Sequence, residues 1–216
     1  MRLKSLGVLA AAGALLAAPA FAQKSKETVR YAVSNPFAVL SNFHLPLDEA
    51  AVVYKKIYEP LIGFDEFNQK WVPRLASAWR TVSPGVYEFD LRQDIKFHNG
   101  NGFDADDVIR TLKYVADPAV KLTFKQRYSW IKDVEKLSQY KIRIIADEPR
   151  TDHFELLAFR INIWDAETMN KLDNIEDYGR VSPYGTGIFK AVQMDRNTGV
   201  IVERYEGFNT NPKETT

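Results

Sequence analysis

Three histidines, one pair of adjacent aspartates and one glycine-rich triplet are the residues of this 216-residue chain most able to do chemistry. His44, His98 and His153 have no second ligand at metal spacing, and the chain contains no cysteine. Metal sites of the zinc type, thiol catalysis and disulfides therefore have no support. His98 lies in a polar turn, where a structural hydrogen-bonding role suits it better than a chemical one. Asp106-Asp107 has the composition of a general acid and base. Neighbouring residues on a helix point about 100° apart, however, so the two carboxyls do not face one site. Gly185-Thr186-Gly187 resembles a phosphate loop only superficially. It lacks the Lys-Ser/Thr pair and opens a strand, not a helix. No Gly-x-Ser-x-Gly marks a nucleophile elbow.

The elements that would position these residues are clearest between Leu75 and Val108. Tyr87, Phe89 and Leu91 alternate with Glu88, Asp90 and Arg92, the period of a half-buried antiparallel strand. Ser83-Pro84-Gly85 precedes it as a turn, and Asn99-Gly100-Asn101-Gly102 follows as another. Asp104 then suits an N-cap, with Asp107 three residues on as a weaker capping-box partner than Glu or Gln. Val108, Leu112 and Val115 continue at helical spacing. Elsewhere the pattern predicts a strand over 28–33 and a loop over 34–46. A helix is expected over 48–58, a short hairpin within 63–71, a strand over 141–145 and a short helix over 151–158. Two further strands, 187–194 and 200–205, should form a hairpin around 195–199. Strands and helices are interspersed, which makes the class α/β, or mixed α+β.

Leu75-Ala76-Ser77-Ala78-Trp79, the Tyr87–Arg92 strand, Phe97-His98-Asn99-Gly100 and Ala105-Asp106-Asp107-Val108 stand in one fixed order. That order resembles the signature of the bacterial extracellular solute-binding proteins of the peptide, opine and nickel class (family 5). Asn99 stands where that family usually has an acidic residue, Gly102 where Pro is common and Asp104 where Thr is common. Each swap keeps the turn or cap chemistry. Tyr58-Glu59-Pro60-Leu61 is similar to a helix end of the family, and Ser182-Pro183-Tyr184-Gly185-Thr186-Gly187 to its Gly-Thr-Gly segment. The resemblance implies a periplasmic-binding-protein type II-like lobe. Residues 23–45 and 181–216 would form its main sheet subdomain, and 46–180 a smaller α+β subdomain. The family is normally more than twice this length, so the lobe is expected to be incomplete, with the second lobe absent from the chain.

Arg2 and Lys4, the apolar stretch Leu6–Ala18 and the small-x-small Ala20-Phe21-Ala22 read as a signal peptide over 1–22. An uncleaved membrane anchor is the alternative. With no lipid-accepting cysteine, the expected product is a soluble, Sec-exported periplasmic protein and not a lipoprotein. The chain carries 29 basic and 28 acidic side chains; loss of Arg2 and Lys4 with the leader leaves 27 against 28. Such a balance gives no electrostatic case for nucleic acid or an anionic membrane surface.

The resemblance implies a cleft lined by loops at the sheet edge. The candidate ligand-facing residues are Asn35, Phe37, Phe43, Phe124, Trp130, Arg160, Asn162, Gly185 and Thr186. Arg160 suits a ligand carboxylate through a bidentate pair, or equally a structural ion pair with a local acid. Phe124, Tyr128 and Trp130 could stack on a ligand or pack in the core. The expected role is the ligand-capturing part of an ABC importer for short peptides or a related small solute. Its partner would be an inner-membrane permease, and no cofactor or metal is expected. A truncated fragment without binding activity and a periplasmic enzyme or chaperone on the same scaffold remain alternatives.

Overall fold

The computed structural model describes residues 39–44, 48–195 and 199–209. All of them fall in one compact unit, Val33–Thr216. The expected signal peptide, the strand over 28–33 and residues 210–216 lie outside the described residues, as do Asn35 and Phe37.

Helix α1 (Asp48–Ile57) forms where Ala50, Tyr54 and Ile57 recur at helical spacing and bury one face. Lys55 and Lys56 occupy its last turn, where cations offset the helix dipole. The expected hairpin follows as β1 (Ile62–Asp65) and β2 (Lys70–Pro73). Its turn is set by Asp65, whose Oδ1 accepts from the backbone amides of Phe67 and Asn68, both at 3.0 Å.

The largest sheet is antiparallel, in the order β3-β4-β6-β5. Its strands are β3 (Ala76–Ser83), β4 (Val86–Leu91), β5 (Ile131–Ser138) and β6 (Lys141–Ala146). The alanine-rich segment ending in Trp79 is thus the first half of an edge strand. Tyr87, Phe89 and Leu91 of β4 are buried, as the alternation predicts, together with Ile142 and Ile144 of β6 and Val134 of β5. Helix α2 (Ala105–Ala116) lies against β5 and β6 and buries Val108, Leu112 and Val115. Its capping box is complete: Asp104 Oδ1 accepts from Asp106 N at 2.8 Å, and Asp107 Oδ2 accepts from Asp104 N at 2.9 Å. A shorter Asp at the third position therefore suffices where Glu or Gln is usual.

Three short helices complete the unit: α3 (His153–Phe159), α4 (Ala166–Lys171) and α5 (Tyr178–Val181). The sequence predicts only the first. A final hairpin pairs β7 (Phe189–Asp195) with β8 (Gly199–Arg204), and β7 packs on α1. No helix among the described residues is long and apolar enough to cross a membrane.

Candidate functional site

His98 fastens the turn before α2 to the Gly-Thr-Gly segment. Its backbone amide donates to Gly185 O at 2.9 Å, and its Nδ1 accepts from Gly185 N at 3.3 Å. The other ring nitrogen must then carry the proton, because its partner at 2.8 Å is the carbonyl of Gly187, an acceptor only. Burial pushes the His98 pKa down from 6.5 to about 4, so the ring is neutral at neutral pH. The Tyr205 ring packs edge-on against it, centroids 4.8 Å apart, while Tyr205 OH donates to Phe97 O. The structure thus gives His98 the structural role. Both glycines are required by close backbone approach: a Cβ on Gly185 would sit 2.0 Å from Ile57 O, and one on Gly187 2.3 Å from Lys56 O. Gly187 N uses that proximity to donate to Ile57 O at 2.8 Å. Thr186 is buried between them, its hydroxyl without a hydrogen-bond partner among the described residues.

Two buried carboxylates lie beside this joint. Asp165 caps α4 through Glu167 N, and its Oδ2 accepts from Asn99 at 2.6 Å, Asn101 at 2.8 Å and Thr168 at 2.6 Å. Asn99 is suited to this place because its amide can donate; a carboxylate there would face Asp165 across the same distance. Asp107 accepts from Ala166 N at 2.8 Å in addition to Asp104 N. Burial nevertheless raises its pKa to about 7, against those two amides, which favour the ionised form. The pair thus ties the turn at 99–102 and α2 to α4. Asp165 followed by Glu167 and Thr168 is a legible cap that the sequence reading passed over.

Arg160 closes α3 with an exposed side chain that forms no ion pair among the described residues. The alternative of a structural pair with a local acid therefore finds no partner there. Its backbone is held firmly: Arg160 O accepts from Asn42 Nδ2 at 2.8 Å and from Tyr128 OH at 3.5 Å. Asn42 stands next to Phe43, which is buried and packs against Tyr128 (centroids 5.6 Å) and Trp164 (4.8 Å). The structure thus gathers the 42–44 turn, Tyr128 and Arg160. Phe124 is half-buried nearby in sequence, with the Arg127 guanidinium over its ring at 3.9 Å.

The other candidates lie apart from this group. Trp130 does not join Tyr128; it is buried and stacked on His153, with ring centroids 4.2 Å apart. Asn162 lines a cavity at the end of α1, and Gly185 and Thr186 sit in the His98 joint. Asn42 is the residue that sequence reasoning missed, since nothing local shows a side chain that reaches 118 positions along the chain. No group of three His, Cys, Asp or Glu gathers to hold a metal ion among the described residues.

Comparison with known proteins places the fold. Residues 70–214 match the family described as bacterial extracellular solute-binding proteins, family 5 Middle. The chain is 28% identical over 207 residues to the glutathione-binding protein GsiB of Shigella flexneri, covering 94% of this chain and 39% of that relative. It superposes with a TM-score of 0.74 on the oligopeptide-binding protein AppA of Bacillus subtilis, solved with a nonapeptide. That match has 20% identity and covers 82% of this chain and 36% of AppA. Against NikZ of Campylobacter jejuni, solved with Ni(L-His), the TM-score is 0.73 at 25% identity, with 83% and 36% covered. These likenesses show a mixed α/β fold corresponding to part of a type II periplasmic binding protein.

Proposed function

The chain belongs to the bacterial extracellular solute-binding proteins of family 5, and from that premise we propose that it is the substrate-binding component of an ABC importer. It captures a short peptide or a related small solute in the periplasm and delivers it to an inner-membrane permease. It binds and releases its ligand unchanged, without enzymatic turnover. The leader over 1–22 is removed, leaving Gln23 as the first residue of a protein without a lipid anchor. Residues 46–180 make the smaller subdomain, while 23–45 and 181–216 contribute to the main sheet. Asn35 and Phe37 are further candidate ligand contacts.

One observation carries the ligand assignment. Arg160 presents a guanidinium to solvent while its own carbonyl is gripped by Asn42 and Tyr128. A fixed backbone under an unpaired fork of donors suits the carboxylate of a peptide-like solute. Glutathione and di- and tripeptides all carry that group.

The test is calorimetry of the mature protein against glutathione, di- and tripeptides and their C-terminal amides. Carboxylate forms should bind better than amides, and Arg160→Gln should weaken them by about tenfold or more, the value of a charged hydrogen bond. Equal binding of acids and amides would remove Arg160 from the site. No binding by any form would favour a chain without binding activity of its own.

A further inference from the structure

We propose a second binding pocket, at the C-terminal end of α1, for a small organic anion that carries an aromatic or branched apolar group. The cavity measures about 320 Å³, and Arg160 does not line it. That volume is at the small end of ligand sites.

The walls are apolar. Phe64 and Phe159 stand with ring centroids 6.4 Å apart, and Pro60, Ile188 and Phe208 complete the lining. Such surfaces take a ring or a branched side chain and release water from it. The floor is polar. Tyr58, also in the lining, is 1% exposed, and its hydroxyl has no hydrogen-bond partner among the described residues. Asn162, 7% exposed, also lines the cavity, and its side chain makes no hydrogen bond among the described residues. A buried hydroxyl is costly to leave unpaired, so a ligand oxygen that accepts from Tyr58 relieves the cost, and the Asn162 amide offers a second donor.

Charge decides the sign of the ligand. Arg74 and Glu59 both line the cavity and offset one another. Lys55 and Lys56 remain, both exposed and neither in an ion pair among the described residues. The carbonyl end of α1 opposes them with only about half an elementary charge. The rim is therefore cationic by more than one charge, and a carboxylate, sulfonate or phosphate ester is favoured over a neutral or cationic head.

Trp71 provides the readout, since its ring lies 4.8 Å from Phe64 and 6.4 Å from Phe159. The probes are benzoate and its neutral counterpart benzamide, titrated into the full chain while the Trp71 indole N–H is followed by NMR. Trp71→Phe identifies that signal. Benzoate should bind in the millimolar range, as befits so few atoms, and at least fivefold better than benzamide. The preference should fade with added salt. The double variant Lys55→Gln/Lys56→Gln should abolish the preference and, being confined to exposed side chains, leave the thermal melt in place. Tyr58→Phe, which removes only the orphan hydroxyl, should weaken benzoate several-fold. Arg160→Gln should change nothing at this signal. The proposal is overturned if benzoate and benzamide bind alike, or if the lysine variant keeps the preference. It is equally overturned if Arg160→Gln removes the effect, since the anion then binds at the face already described.

Discussion

His98 and Asp107 are displaced from their ordinary pKa values in opposite directions, both by burial, and their effects on stability oppose one another. The folded protein holds His98 neutral down to about pH 4, whereas the unfolded chain takes up a proton near 6.5. Its stabilising effect is complete above pH 6.5 and is lost as pH falls through 4, at most about 3 kcal/mol. Asp107 is raised from 3.8 to about 7. Its effect is complete below pH 3.8 and is lost as pH rises through 7, at most about 4 kcal/mol. Taken as a pair, the two should change wild-type stability little between pH 7 and 4. In denaturant melts, Asp107→Asn should expose a steady loss of stability as pH falls from 6.5 to 4. His98→Gln should show the reverse, a gain over the same range. If the two variants gave parallel pH profiles, neutral His98 could not be the clip that joins Gly185 and Gly187.

At the scale of elements, the capping box of α2 and the charged face of the four-stranded sheet can be weighed directly. Asp104→Ala removes the acceptor for Asp106 N and should cost about 0.5–2 kcal/mol in a denaturant melt. Asp106→Ala should cost less, about 0.3–1 kcal/mol, because Asp106 only complements the helix dipole and pairs with exposed Lys136. A larger loss at Asp106 would point to a role beyond charge. On the sheet, Arg80, Glu88, Arg143 and Glu135 form a row of alternating charge across β3, β4, β6 and β5. The apolar half of this alternation was legible in Tyr87-Glu88-Phe89, since period two is a local property. The cap at Asp104, the two hairpins and α3 were legible for the same reason. The periodicity of helices α4 and α5 was not, because six and four residues are too few to register it. The His98 joint was beyond local reading as well. It joins the His98 side chain to partners 87 and 89 positions away that are main-chain atoms, which leave no pattern to detect. Arg160 could be singled out as a candidate, but the partners that fix it, Asn42 and Tyr128, come from distant segments.

At the scale of the molecule, these 216 residues span about two fifths of the length of the relatives they match. We expect a polypeptide limited to them to supply one wall of the cleft. It would bear most of the cost of immobilising the ligand while making part of the contacts. Calorimetry should therefore find millimolar affinity at best, near −4 kcal/mol, against about −8 kcal/mol for a micromolar form extended to the length of the relatives. Submicromolar binding by the 216 residues alone would show that one wall suffices. The joint at Gly185 and Gly187 has a consequence of another kind. Part of its hold on α1 comes from main-chain atoms, the Gly187 amide meeting the Ile57 carbonyl with no side chain between them. Main-chain atoms are the one part of a protein that descent does not alter. So long as two glycines keep the gap closed, that contact can survive as the residues around it are exchanged.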